Sequence, residues 1–408
     1  MAIRIATASV DPAATITGRA VAMAFISDPE SEAVLRDGLA GCLPAELTVV
    51  RTGIAGAIAA LKKMPTPETL IVDVSGEEQP MTALAALSEV VQPDVKVLVV
   101  GDQRDVNLYR QLIRVLGVAE YLYKPLAAEV VARHFGPIVN GSAAPATHLS
   151  GGQAITLTGA CGGAGTTTIA ANLAWYLAEE AKRHTVLLDA NLHTGTAALL
   201  LNAKTGPGLR TALESPQRVD ALFIERIAQP AGDRLWVMAG EELLTEHPNI
   251  APDSAEHLIK LLSVRYNYVV VDLPFGPTPF NLQLRNIARQ RIIVLEPTLP
   301  AIRDTLRLLA LPKGPTQARR AVLVLNKLGQ PGTMTRRQVE SALQQPIDVA
   351  VPYLPRVAAA AIEGVPAVKA LGTFGTAIRE IAKSIASLPP QEAAGRKGMF
   401  GWLKRTGT

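Results

Sequence analysis

Cysteine is nearly absent. Only Cys42 and Cys161 occur in 408 residues, too few for a disulfide framework and in keeping with a reducing cytosol. Long apolar runs are missing too. Mean hydropathy is positive, yet no stretch of 18 or more apolar residues escapes a charge, which excludes an ordinary membrane span. At the N-terminus Asp11 and scattered Thr and Ser interrupt any apolar core, so no signal peptide is expected. No internal repeat of fixed period occurs, which sets aside solenoids and propellers. Acids are missing from the end of the chain. None follows Glu392, while Arg396, Lys397, Lys404 and Arg405 supply four positive charges. The net charge of +4 is too small for a protein that coats nucleic acid.

What is present describes a globular chain. Hydrophobic residues make up 48% and charged residues 19%, and the length allows two or three domains with sizeable cores. Residues 1–19 are small, polar and aperiodic, and read as a flexible lead. Residues 20–138 alternate strands (21–26, 47–50, 70–74, 95–100, 121–123) with helical patterns such as 54–63 and 107–116. Five such units in about 120 residues suggest a doubly wound, flavodoxin-like α/β domain. Residues 139–153 are small, Gly/Pro/Ser-rich and nearly uncharged, as a linker should be. A second, larger α/β series covers 154–388. Its strands are expected at 155–158, 186–189, 235–239, 268–272, 292–295, 321–326 and 349–351, mostly continuous apolar runs that suit parallel strands covered on both faces. Residues 389–408 form a basic and aromatic tail.

The most informative stretch is Gly159-Ala160-Cys161-Gly162-Gly163-Ala164-Gly165-Thr166-Thr167-Thr168. It lies between an apolar strand and a helical run. Strand, glycine-rich turn and helix N-terminus together make a nest of backbone N–H groups that suits a polyphosphate. Gly162, Gly163, Gly165 and the amides of Thr166–Thr168 would cradle the phosphates. The expected lysine after the last glycine is Thr166.

The companions of this loop lie at strand ends. Asp189 and Asp272 each end an apolar strand, where an Asp beside a phosphate loop can hold the shell of Mg2+. Thr167 occupies the place of the hydroxyl ligand to that metal. Asn326 and Lys327 close another strand, where an amide could read a purine edge. Any one of these could simply cap the next helix; four in order argue for a site. Cys161, at a helix N-terminus, reads as a small neutral filler rather than a reactive thiol, because no His or second Cys is near it in sequence.

In this order the residues resemble the ParA/MinD group of deviant Walker-A ATPases. The stretch 294–309 and the run Val351-Pro352-Tyr353-Leu354-Pro355 leading to 360–366 further resemble the CpaE/TadZ proteins of the tight-adherence (Flp) pilus. These carry a degenerate receiver domain ahead of a ParA-like domain, and the resemblance covers about residues 20–388. It implies ATP and Mg2+ as cofactors and a homodimer formed through the nucleotide face. As partners it implies a pilus secretion ATPase or other tight-adherence components, and as a place the cytoplasm or the inner membrane face at a cell pole. Three departures stand out. Cys161 replaces the signature lysine before the paired glycines, Thr166 replaces the loop lysine, and Asn191 replaces the acid that helps activate water. Loss of two cations and a carboxylate, each worth about 2–4 kcal/mol, predicts weak or moderate ATP binding with slow or absent hydrolysis. Two alternatives stay open. One is a working ATPase in which Lys327 or Arg303 compensates for Thr166. The other is a DNA-partition relative, against which the modest charge and the lack of a helix-turn-helix unit argue.

In the first domain, Asp73 ends the third strand and Lys124-Pro125 follows the fifth, a pairing that resembles a response-regulator receiver with Asp73 as phosphoacceptor. Ser27-Asp28-Pro29-Glu30 supplies one acid in register for a metal, and Val100-Gly101 stands where a hydroxyl is expected. The domain is therefore either a phosphorylatable receiver or a pseudo-receiver kept for docking, the second being favoured. The tail, with Phe400 and Trp402 among cations, is either a membrane-surface anchor or a solubilising end.

Overall fold

The computed structural model describes residues 19–43, 46–142, 152–317, 319–369 and 372–385. The expected lead before residue 19, most of the linker, and the tail at 389–408 lie outside the described residues.

Alternation of β-branched runs with helical segments gives two parallel sheets. The first contains β1 (Ala22–Ile26), β2 (Thr48–Arg51), β3 (Thr69–Asp73), β4 (Lys96–Gly101) and β5 (Glu120–Tyr123), in the order β2-β1-β3-β4-β5. That is the doubly wound order predicted by right-handed crossovers. β1, β3 and nearly all of β4 are buried because helices cover both faces, and edge strand β2 is largely exposed. Phe25, Leu70, Val72 and Val99 fill one side of this sheet, and Ile26, Leu35, Ile71 and Phe135 the other.

The second sheet holds β6 (Gln153–Gly159), β7 (Thr185–Asp189), β8 (Gln229–Pro230), β9 (Leu235–Met238), β10 (Tyr268–Leu273), β11 (Gln290–Leu295), β12 (Val322–Leu328) and β13 (Val349–Pro352). Its order is β13-β12-β11-β6-β10-β7-β9-β8, all parallel except the short antiparallel edge pair β8–β9. The seven long strands follow the apolar runs of the sequence; β8 is too short to leave a pattern. β6, which feeds the glycine-rich loop, lies between β10 and β11. Strand order reverses there, and in an open parallel sheet the crevice at the carboxyl ends beside such a point is where a ligand fits.

Candidate functional site

The loop 159–165 leaves β6 and runs into the helix Thr166–Trp175. Gly163 and Gly165 have φ of 80° and 84°, a left-handed backbone that glycine adopts without a Cβ penalty. A Cβ on Gly165 would collide with the Asn326 amide, whereas one on Gly162 or Gly163 would meet open space. The loop is held from behind. Asn326 donates its side-chain amide to Ala164 O at 2.8 Å, and Lys327 donates its ammonium to Gly163 O at 2.7 Å. Lys327 also pairs with the Glu296 carboxylate at the end of β11. Asn326 therefore spends its amide nitrogen on the loop rather than holding it free for a purine edge.

In front of the loop lies a cavity of about 260 Å³, lined by residues 159 and 161–168, Asp189, Asn191, Thr194, Gly195 and 272–275. Asp189 and Asp272 pair directly across β7 and β10, and both are buried. Burial pushes the Asp272 carboxyl up to about 7. The neighbouring Asp189 charge adds to this, and a hydrogen bond from Thr167 opposes it. Burial raises Asp189 as well, against backbone N–H groups of Ala197 and Asn191. Those groups reach Asp189 at 3.1 and 3.0 Å, so this carboxylate also anchors the turn that follows β7. Among the described residues no Lys or Arg lines the cavity. Two buried acids with a hydroxyl between strand and loop form an oxygen donor set short of positive charge, which fits a hard divalent cation such as Mg2+. Open space over Gly162 and Gly163 fits phosphate oxygens approaching the backbone.

The structure brings together Gly162, Gly163, Gly165, Thr166, Thr167, Thr168, Asp189 and Asp272 around one cavity, with Asn326 and Lys327 bracing the loop from outside it. Asn191 folds back on itself, giving its amide to the Thr194 hydroxyl at 2.8 Å and accepting from Thr194 N at 3.1 Å. Arg303 stands apart from the place of the missing lysine. It projects from the exposed face of the helix Leu299–Leu309, paired with Asp304, and does not line the cavity. The Cys161 thiol is raised, first by burial and then by the Glu296 charge, so it is not primed for chemistry. Sequence reading missed Glu296, Thr194 and Phe275. Glu296 had a signal, since it stands at a strand end like the residues that were chosen. A second, more apolar cavity of about 180 Å³ shares Gly165, Thr168, Asn326 and Lys327, and continues along Pro352, Tyr353 and Pro355.

In the first sheet, the strand order brings Asp28, Asp73 and Lys124 to one point. Lys124 Nζ lies 2.5 Å from Asp28 and 2.7 Å from Asp73. Asp73 also accepts from Ser27 N at 3.0 Å, Ser75 N at 2.9 Å and the Ser27 hydroxyl. Burial works to raise the Asp73 pKa, but Lys124 and the serine donors outweigh it and hold the carboxyl near 2.

No family model matches the chain. An uncharacterized ATP-binding protein of Methanocaldococcus jannaschii is 26% identical over 215 residues, which is 53% of this chain and 80% of that protein. The septum site-determining protein MinD of Bacillus subtilis is 25% identical over 178 residues, 43% of this chain and 65% of MinD. The crystal structure of a ParA family ATPase from Chlorobium tepidum superposes with a TM-score of 0.50 at 19% identity, over 56% of this chain and 97% of its own. A pilus assembly protein CpaE from Caulobacter crescentus is 33% identical over 29% of this chain and 91% of its own, with a TM-score of 0.26. With the glycine-rich loop at the sheet's reversal point and acids ending the two strands beside it, the chain shares the fold of the ParA family ATPase and is similar in sequence over about half its length to MinD and related ATP-binding proteins.

Proposed function

We propose that this protein binds ATP with Mg2+ and hydrolyses it slowly or not at all, serving as an organiser of the tight-adherence pilus machinery of the CpaE/TadZ type. The observation that carries the nucleotide reading is the 260 Å³ cavity, which joins a glycine-rich backbone turn to two buried acids and, among the described residues, has no cationic side chain in its lining. Loop amides hold the phosphates, and Thr167 and Asp272 hold the metal side of the site. When bound, Mg2+ supplies the positive charge that a lysine gives elsewhere. Asp189 keeps the turn after β7 in place through its two backbone contacts. The apolar walls of the adjoining cavity suit a base, held by packing more than by hydrogen bonds.

Slow turnover follows from residue chemistry. The Asn191 amide cannot take a proton from water, and its polar atoms are committed to Thr194. Lys327 is tied to Glu296 and to a loop carbonyl, so its charge braces the backbone instead of neutralising a leaving phosphate. Each missing donor is worth about 10²–10³ in rate.

The pilus assignment rests on the residue-level resemblance at 294–309 and 351–366, together with the α/β unit placed ahead of the nucleotide fold. In this reading residues 20–138 are a pseudo-receiver. Asp73 is held by Lys124, Ser27 and Ser75, and Val100-Gly101 stands where a hydroxyl is expected. A homodimer forms through the nucleotide face, pilus components are the partners, and the tail at 389–408 meets an anionic membrane surface. Among the described residues no helix is long and apolar enough to cross a membrane. Titration of the full chain with ATP and Mg2+, followed by a phosphate-release assay, tests the nucleotide reading. Saturable binding with release near background supports it, and fast release refutes the slow-turnover part. Co-purification with a pilus secretion ATPase tests the assignment.

A further inference from the structure

The two sheets meet at the amino ends of their strands, and the contact is built around one buried cation. Arg234 directly precedes β9 and is 6% exposed, yet among the described residues no carboxylate pairs with its guanidinium. It donates instead to Val90 O at 3.1 Å, Met64 O at 3.4 Å, Lys182 O at 3.1 Å and Leu61 O. Leu61 ends the helix Ile54–Leu61, Met64 follows it, and Val90 follows the helix Pro80–Ser88. These are the carbonyl ends of two helices, where partial negative charge accumulates and a cation is favoured. Asn267, which precedes β10, donates to Ser88 O at 3.2 Å and Val91 O at 2.9 Å.

His184, which precedes β7, completes the contact. Its Nε2 lies 3.3 Å from the Arg234 guanidinium, and its Nδ1 lies 3.4 Å from the Gln92 side-chain amide nitrogen. The imidazole stacks on Trp236, with ring centroids 6.0 Å apart. Outside this core, Arg183 pairs with Glu89 at 3.1 Å.

The same strands carry the acids of the cavity. β7 begins one residue after His184 and ends at Asp189, and β10 begins one residue after Asn267 and reaches Asp272. Five residues of extended strand span about 17 Å. We infer that the N-terminal unit is a fixed brace for the site, gripping through Arg234, His184 and Asn267 the far ends of the two strands that present Asp189 and Asp272. Displacement of the N-terminal unit, by a partner or a ligand, is then felt at the pair of acids. A packed strand with both ends held is the kind of contiguous rigid element that carries coupling. The functional consequence rests on the reading of the cavity as a nucleotide site.

The first variant places its changes in the N-terminal unit alone. Glu89→Arg with Gln92→Ala repels Arg183 and removes the amide facing His184, without touching the nucleotide fold. In the full-length chain, hydrogen exchange is followed at 88–92, at 185–189 and at 268–272, and Mg·ATP affinity is measured in parallel. The brace predicts faster exchange in all three segments and Mg·ATP binding weakened by about fivefold or more. Faster exchange at 88–92 with both strands and the affinity unchanged overturns it. Asn267→Ala is the second variant. If neither variant loosens 88–92, the contact does not depend on these groups and the inference falls. If the unaltered chain binds no Mg·ATP, the nucleotide reading fails by itself, and exchange in the two strands still decides the brace.

Discussion

Asp189 and Asp272 stand opposite each other in the register of β7 and β10, two buried carboxylates on adjacent parallel strands that share a cavity with no cationic side chain among the described residues. Like charges this close and this buried raise each other's cost of ionisation. Fold stability and metal binding are thereby set against each other at one point.

Asp272→Asn removes one charge and keeps the shape. The variant is expected to melt several degrees higher than the parent without metal, because about 1–3 kcal/mol of desolvation cost is relieved. It should lose the further stabilisation that Mg2+ with ATP gives the parent. Differential scanning fluorimetry with and without Mg·ATP checks both parts. A lower melting point in the metal-free variant would show that Asp272 is a structural acid.

Lys327→Ala frees the loop carbonyl of Gly163 and leaves Glu296 unpaired. The ammonium is about one-third exposed, so the loss should be modest, roughly 1 kcal/mol after allowance for solvent screening. Mg·ATP affinity is expected to fall with it because the loop loosens. Residual phosphate release should not change. A selective drop in turnover with binding intact would instead make Lys327 the surrogate for the missing loop lysine.

His184 gives the inter-sheet contact a pH limit. Burial, followed by the charges of Arg234, Arg19 and Arg265, pushes its pKa down to about 3, against about 6.5 for a free imidazole. The unfolded chain takes up the proton first. Stability is therefore complete above about pH 6.5 and declines as pH falls toward 3. His184→Gln keeps an acceptor for Arg234 and should flatten the decline between pH 6.5 and 4. Urea melts at several pH values read the effect, and an unchanged slope in the variant would contradict it.

Lys124→Ala leaves Asp73 buried and Asp28 without its cation, and is expected to destabilise the chain by about 3 kcal/mol. Asp73 itself, held near 2, contributes stability present above about pH 3.9 and lost as pH falls through 2. Incubation with a small acyl phosphate and Mg2+ should leave the mass of the intact protein unchanged. A phosphoryl adduct absent from Asp73→Ala would make the N-terminal unit a working receiver.

Much of this was legible in the residue order. Apolar runs ending in Asp189, Asp272 and Asn326 marked both the strands and the edge of the sheet where the cavity lies, because parallel strands are buried on both faces and their polar ends stand out. Glycines at 163 and 165 marked the left-handed turns. Side-chain partnerships were not legible. Asn326 bonds Ala164 across 162 positions, and Arg234 caps helices more than 140 residues earlier. An arginine neutralised by backbone carbonyls has no sequence signature, since its partners are not side chains. Arg303 misled for another reason: its partner, the buried Asp304, is the next residue, and only the helix geometry shows that the guanidinium lies on the exposed face.

The most direct measurement is isothermal titration of the metal-stripped full-length chain with ATP, with and without Mg2+. Saturable heat that requires Mg2+, lost in Asp272→Asn, is the predicted result, because among the described residues no cationic side chain lines the cavity to hold a triphosphate. Equal binding in the absence of Mg2+ would mean that positive charge reaches the phosphates from elsewhere. Absence of any heat under both conditions would show that the cavity does not receive nucleotide.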